Sequence, residues 1–371
     1  MKVLVVMGTR PEVIKLAPIV AALRGKLDVR VCSTGQHREM LDQALGFFRI
    51  QPDIRLDCMR AGQSLNELSA RLLTSVDQVL LEEKPDWVLV QGDTTTAFCA
   101  GLAAFQRCIP TGHVEAGLRT GNLASPFPEE ANRALLSRIS TRNFAPTGRA
   151  RDNLLAEGIP ARSILVTGNS IVDAIGLVRA SWQDTLPQLP AGLVADAPQI
   201  LVTCHRRENF GAVMLDICRA LRNLCARYSG YQWVYPVHLN PQVREPVMNE
   251  LGGIPNLHLI DPVDYPTSLY LISRSTLILS DSGGIQEEAP TFGVPLVVMR
   301  SHTERSEGVD AGFATLAGQQ ADDIEAAVRD WLDAPERRKA LKHCLNPYGD
   351  GRASERTVQS LLGQTVEAFG G

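Results

Sequence analysis

The chain has 371 residues, more than one hydrophobic core ordinarily organises, so two domains are expected. Hydrophobic residues make up 44% and charged residues 21%, which excludes a disordered or fibrous chain. With 37 Lys and Arg against 41 Asp and Glu, the formal charge is −4; nothing global attracts nucleic acid or an anionic membrane, and any anion site must be local.

The first predicted strand, Lys2–Met7, is far too short to span a membrane and is followed at once by Arg10, Glu12 and Lys15. No export signal is read there, and a cytoplasmic location is expected. Further strands are predicted at Val29–Ser33, Asp86–Gln91, Thr111–Val114, Asn143–Ala145 and Ile164–Val166, with helical patterns between them. The pattern lapses in the proline-rich stretch Asp184–Pro198, which suits a surface connection. It restarts with Gln199–Thr203, Gln232–Pro236, Leu257–Ile260, Thr276–Ser280 and Pro295–Met299. This alternation predicts an α/β chain of two similar units with parallel sheets. They are placed at 1–170 and 171–351, with a last helix over Arg352–Phe369 whose place is left open between the two domains, packing back on the first being one option. The eight cysteines are scattered without a Cys-x-x-Cys pair, and are expected to be buried reduced thiols.

In open parallel sheets ligands bind beyond the carboxyl ends of the strands, so polar motifs directly after strands carry the functional signal. Gly8-Thr9-Arg10-Pro11-Glu12, with Lys15 one turn on, sets two cations beside a helix start, as a phosphate site needs. In Gln91-Gly92-Asp93-Thr94-Thr95-Thr96, Asp93 is placed as either an N-cap or an acid. Glu115 ends the next strand and Pro126-Phe127-Pro128-Glu129-Glu130 follows, so Asp93, Glu115 and Glu129 are expected to converge as an acid/base cluster. His205, in Thr203-Cys204-His205-Arg206-Arg207-Glu208-Asn209, is a proton carrier or a phosphate donor. Ser282-Gly283-Gly284 offers backbone amides to phosphate oxygens, with Glu288 on the same helix placed to receive ribose hydroxyls. Neither Gly-x-Gly-x-x-Gly at the first strand nor Gly-x-x-x-x-Gly-Lys-Ser/Thr is present, and no His, Cys or acidic spacing defines a metal site.

The ordered motifs MGTRPEVIKLAP, QHREMLDQ, GDTTT, GHVEAGLRTG, SPFPEEANR, TGNSIVDA, HRREN, YPVHLNP, SDSGGIQEEAP and NPYGDGRAS resemble the non-hydrolysing UDP-N-acetylglucosamine 2-epimerases over essentially the whole length. That resemblance implies a glycosyltransferase-B-like pair of Rossmann-like domains with the ligand cleft between them, and a homodimer that takes a UDP-sugar and needs neither metal nor nicotinamide. It implies C2 epimerisation of UDP-N-acetylglucosamine to UDP-N-acetylmannosamine through UDP elimination to a 2-acetamidoglucal and re-addition. A glycosyltransferase of the same fold is the alternative. By the same resemblance Asp93, Glu115, Glu129 and His205 are catalytic, and Arg10, Lys15, Asp93, Glu115, His205, Ser282, Gly283, Gly284, Glu288 and Arg305 contact the nucleotide sugar.

Gln36, Glu129, Arg206 and His238 match a regulatory site of some family members, but Glu39 replaces a glutamine there and Gly62 an arginine. Little activation by substrate is therefore expected. Val263 and Ser268 also depart from the family pattern, which places glutamine and a uracil-stacking phenylalanine at those positions. Tyr265 or Tyr270 is expected to supply the aromatic surface instead.

Overall fold

The computed structural model describes residues 1–35 and 38–370; the side chains of 38–40 fall outside that description. The chain divides into two compact units, Met1–Leu177 joined by the stretch from Tyr348 onward, and Val178–Pro347.

The sheet of the first unit is built from β1 (Lys2–Met7), β2 (Asp28–Ser33), β3 (Ile54–Arg55), β4 (Trp87–Gln91), β5 (Thr111–Val114), β6 (Arg142–Ala145) and β7 (Ile164–Val166). All seven strands run parallel in the order β3-β2-β1-β4-β5-β6-β7. The uninterrupted apolar run of β1 has a direct cause, since successive side chains point to opposite faces and both faces are covered. Val3, Val5 and Met7 enter one core with Val13, Leu16 and Val20 of the helix Arg10–Leu23. Leu4 and Val6 enter the other, against Val76 and Leu80 of the helix Leu65–Glu83 and Ala97 and Ala100 of the helix Thr95–Gln106. Each such Val or Leu contributes about 1.5–3 kcal/mol by leaving water.

The second unit repeats the plan with β8 (Gln199–Thr203), β9 (Gln232–Pro236), β10 (Leu257–Ile260), β11 (Ser275–Ser280), β12 (Leu296–Val298) and β13 (Ala314–Leu316). Its parallel order is β10-β9-β8-β11-β12-β13. Trp233 and Tyr235 of β9 lie in a core with Met214 and Leu221 of the helix Ala212–Arg227 and Val328 and Trp331 of the helix Ala321–Leu332.

In each sheet the strand order reverses between two central strands, β1 and β4 in the first unit and β8 and β11 in the second. Loops leaving the carboxyl ends of those pairs part to opposite faces and open a crevice. The candidate motifs beginning at Gly8, Gln91, Thr203 and Ser280 follow these strands, and Glu115 follows β5.

The last helix spans Ala353–Leu361 and does not run to Phe369 as the sequence pattern predicts. Gly363, at φ +69°, terminates it in the left-handed conformation, and the chain then extends until the Phe369 N–H donates to Val166 O at 2.8 Å. Val358 and Leu361 enter the core around the helix Arg10–Leu23. Asp173 caps the helix by accepting from Ser354 N at 2.8 Å and Ala353 N at 3.2 Å. Among the cysteines, Cys108 and Cys344 are exposed, against the expectation that all would be buried. No helix among the described residues is long and apolar enough to cross a membrane.

On β5, His113 is fully buried, with Nε2 2.8 Å from Gly92 O and Nδ1 3.3 Å from Ser137 Oγ. Burial, with Arg119 and Arg133 nearby, holds its imidazole at about 3, outweighing the Gly92 carbonyl that favours the proton. A folded-state value below the unfolded one means that protons favour the unfolded chain. Stability from this group is therefore present above about 6.5 and lost as pH falls toward 3. Lowering the pH from 6.5 to 5 is expected to remove about 1–2 kcal/mol through His113. Denaturant unfolding at the two pH values checks this, and a His113→Gln variant should lack that component.

Candidate active site

Three loops of the first unit, after β1, β4 and β5, lie at the carboxyl edge of its sheet. After β1, Gly8 passes so close to Thr34 and Thr96 that a Cβ there would lie 2.4 Å and 2.5 Å from their hydroxyl oxygens, so only glycine fits. Thr9 and Glu12 then form a capping box, in which Glu12 Oε2 accepts from Gly8 N at 2.9 Å and Thr9 N at 2.6 Å. The other oxygen, Oε1, accepts from Thr94 Oγ1 at 2.8 Å and ties the first loop to the one after β4. Burial raises the Glu12 carboxyl above its ordinary range, against donors at Thr94, Gly8 and Thr9 that pull it down. Glu12 is thus the internal brace of this edge. Its Thr-x-x-Glu spacing was legible, but its reach to Thr94 was not.

Lys15, on the buried side of the helix Arg10–Leu23, extends Nζ to Glu115 Oε2 beyond β5 in a direct ion pair. Both side chains are more than nine-tenths buried, so the ammonium balances the carboxylate where water screens little. Glu115 itself has φ +65°, a left-handed backbone that a non-glycine residue adopts only when its surroundings enforce it. Gly117 follows at φ +95°.

Asp93, after β4, is held by two residues of the helix Glu129–Ile139. Arg133 Nη2 donates to Asp93 Oδ2, and Asn132 Nδ2 donates to the Asp93 carbonyl at 2.9 Å. Arg133 is buried and is steadied by Glu130 Oε2 at 3.4 Å, while Glu130 Oε1 accepts from Thr120 N and Gly121 N at 2.9 and 3.0 Å. Arg133 and Glu130 therefore position Asp93, and no local sequence pattern marks either residue for that role. Glu129 begins the same helix, half-buried, and its carboxylate has no partner among the described residues. Arg10 is exposed at the start of its helix, likewise without an ion pair among the described residues.

The second unit gathers its motifs around Asp281, which follows β11 and is fully buried. Asp281 Oδ2 accepts from His205 N at 2.9 Å, Arg206 N at 2.8 Å and Asn209 Nδ2 at 2.9 Å, and Cys204 Sγ lies 3.2 Å away. One carboxylate thus folds the whole loop after β8. His205 projects from that loop, with Nδ1 3.4 Å from Asp281 Oδ1, and its ring stacks on His238 at 6.0 Å between centroids.

Ser282 is the N-cap residue of the short helix Gly283–Glu288, and its amide donates to Ser280 Oγ at 2.9 Å. Arg305 lies against Gly283, where a Cβ would come within 2.6 Å of Nη1. Glu287 Oε1 accepts from Arg305 Nε at 2.6 Å, and Glu304 pairs with both Arg305 and Arg300. Burial would raise the Glu304 carboxyl, but Arg305 and Arg300 outweigh it and hold the group at about 2. Burial lowers the Arg206 guanidinium, and Arg300 beside it adds to the shift. Glu288 is buried on the same short helix. Of the candidate regulatory residues, Gln36 lies outside the described residues. Tyr270 packs edge-on to Trp182 at 5.5 Å and under the Arg274 guanidinium, while Tyr265 opens the helix Tyr265–Arg274.

Two doubly wound parallel sheets, each collecting charged loops at its switch point, place the chain in the glycosyltransferase-B class of α/β folds. The glycotransferase of kitacinnamycin, 14% identical with 98% of each chain covered and a TM-score of 0.63, shares that fold alone. The family model described as UDP-N-acetylglucosamine 2-epimerase matches residues 21–362. The chain is 50% identical to the UDP-N-acetylglucosamine 2-epimerase of Yersinia pestis over 99% of its own length and all of that protein. A crystal structure of the UDP-GlcNAc 2-epimerase from Neisseria meningitidis bound to UDP-GlcNAc superposes with a TM-score of 0.92 at 45% identity, covering 98% of this chain and 100% of that one. The chain belongs to the UDP-N-acetylglucosamine 2-epimerase family.

Proposed function

We propose that this chain interconverts UDP-N-acetylglucosamine and UDP-N-acetylmannosamine by inverting C2 of the sugar, working as a cytoplasmic homodimer. The observation that carries this reading is the pair of acids at one sheet edge, Asp93 and Glu115, each fastened to a buried cation, Arg133 and Lys15. Such an edge can move protons at carbon while keeping its charges compensated. Family membership and the UDP-GlcNAc-bound relative supply the substrate class.

In the forward direction a carboxylate among Asp93, Glu115 and Glu129 takes the C2 proton as the C1–O bond breaks. The electron pair of the C–H bond becomes the C1–C2 double bond of a 2-acetamidoglucal, and UDP leaves with the electrons of the C–O bond. Return of a UDP oxygen to C1, with a proton delivered to the opposite face of C2, gives the epimer. The departing diphosphate calls for fixed positive charge and amides, a role that the family resemblance gives to Arg10, Lys15, His205, Arg305 and the Ser282-Gly283-Gly284 turn, with Glu288 for the ribose hydroxyls.

Incubation with UDP-N-acetylglucosamine and no acceptor separates this from glycosyl transfer. The epimerase yields a mixture of the two UDP-sugars, resolved by chromatography. An unchanged substrate that is consumed only when an acceptor sugar is added identifies a transferase instead.

A further inference from the structure

The second unit contains a buried carboxylate with one oxygen committed and one directed at a functional side chain. Asp281 Oδ2 collects the His205, Arg206 and Asn209 N–H groups. Its Oδ1 is buried with no hydrogen bond of standard geometry, and His205 Nδ1 lies 3.4 Å from it. A buried carboxylate oxygen left unsatisfied is costly, so the arrangement favours whichever partner can bring it a proton. Of the imidazole's two nitrogens, only Nδ1 carrying hydrogen does so.

We propose that Asp281 is a positioning residue that keeps Nδ1 of His205 protonated, leaving Nε2 as the one ring nitrogen that works on the ligand. The inference rests on the reading of His205 given above. The backbone and the side chain of His205 are anchored by the same carboxylate, so the ring's orientation and its tautomer are set together. The ring of His238 lies beside it, 6.0 Å away between centroids and inclined by 20°. When a diphosphate lies at Nε2, a proton there makes the ring a cation whose charge is balanced by the buried Asp281, and the leaving UDP meets a donor of fixed direction.

Asp281→Asn alters the tautomer at nearly constant shape. The amide oxygen can still accept the three N–H groups, but its NH₂ then faces Nδ1 and demands a lone pair there, which moves the ring proton to Nε2. The test is nitrogen NMR of the full chain labelled with ¹⁵N-histidine, with His205 assigned by the signal lost in His205→Gln. The intact protein should show a protonated Nδ1, and Asp281→Asn should show an unprotonated one. Turnover of Asp281→Asn should fall by about tenfold or more, the effect typical of losing such an outer partner, with KM moving less. In a His205→Gln background the same substitution should cost almost nothing further.

An unprotonated Nδ1 in the intact protein overturns the proposal, and this measurement does not depend on whether Asp281→Asn folds. An equal loss from Asp281→Asn with and without His205 also overturns it, because the carboxylate would then serve the loop alone. If His205→Gln turns over normally, the reading of His205 in catalysis fails, while the protonation state of Nδ1 still decides the Asp281 contact.

Discussion

Asp93→Asn and Glu115→Gln should each lower turnover of UDP-N-acetylglucosamine by more than about a hundredfold, the range that loss of a general acid or base produces. The substitutions are nearly isosteric. The amide oxygen introduced at position 93 can still accept from Arg133, and the one introduced at position 115 can still accept from Lys15, so the loops after β4 and β5 keep their anchors. What disappears is the proton-transfer group. Binding of UDP, measured by calorimetry, should change much less than turnover, because both substitutions leave the proposed diphosphate and ribose contacts at His205, Arg305, the Ser282-Gly283-Gly284 turn and Glu288 untouched. Near-normal rates in both variants would remove these acids from the mechanism.

Gly117→Ala should cost roughly 2–4 kcal/mol of stability, from overpacking together with a left-handed backbone. Gly117 stands at φ +95°, and a Cβ there would lie 2.2 Å from the Ala150 carbonyl oxygen and 3.0 Å from Leu154 Cγ. Backbone oxygen cannot step aside as the end of a side chain can. The loop must shift, and Glu115 two residues earlier shifts with it, so activity should fall as well. Gly121→Ala is the matched control: its φ is +76°, but nothing lies within 4 Å of the added carbon. It should show the backbone cost alone, about 1–2 kcal/mol. Equal unfolding midpoints in denaturant for the two variants would contradict the steric argument.

The architecture was legible because most strands are buried on both faces and therefore read as unbroken apolar runs. Lys2–Met7, Thr111–Val114, Ile164–Val166, Gln199–Thr203, Gln232–Pro236 and Leu257–Ile260 coincide with the observed strands. The strands missed, Ile54–Arg55 and Ala314–Leu316, are two and three residues long and lie at sheet edges. They exist through pairing with β2 and β12 more than through their own hydrophobicity, and no local pattern announces that. The motifs after strands fall at the carboxyl edges of the two sheets, since topology sends those loops to one edge. The residues that brace them were harder to read. Arg133 reaches Asp93 across 40 positions of sequence, and Asp281 reaches His205 across 76. Such contacts are properties of the folded sheets, and the left-handed backbone of Glu115 likewise comes from its surroundings.

The central claim is that a carbon–hydrogen bond at C2 is broken and remade without net redox change. Proton NMR of UDP-N-acetylglucosamine incubated with the protein in deuterated water follows both events in one sample. Our account predicts that the anomeric signal of UDP-N-acetylmannosamine appears while the C2 proton signal of both sugars fades as deuterium enters, and that neither happens with the Asp93→Asn, Glu115→Gln double variant. An unchanged spectrum, or epimer formed with its C2 proton fully retained, would contradict it.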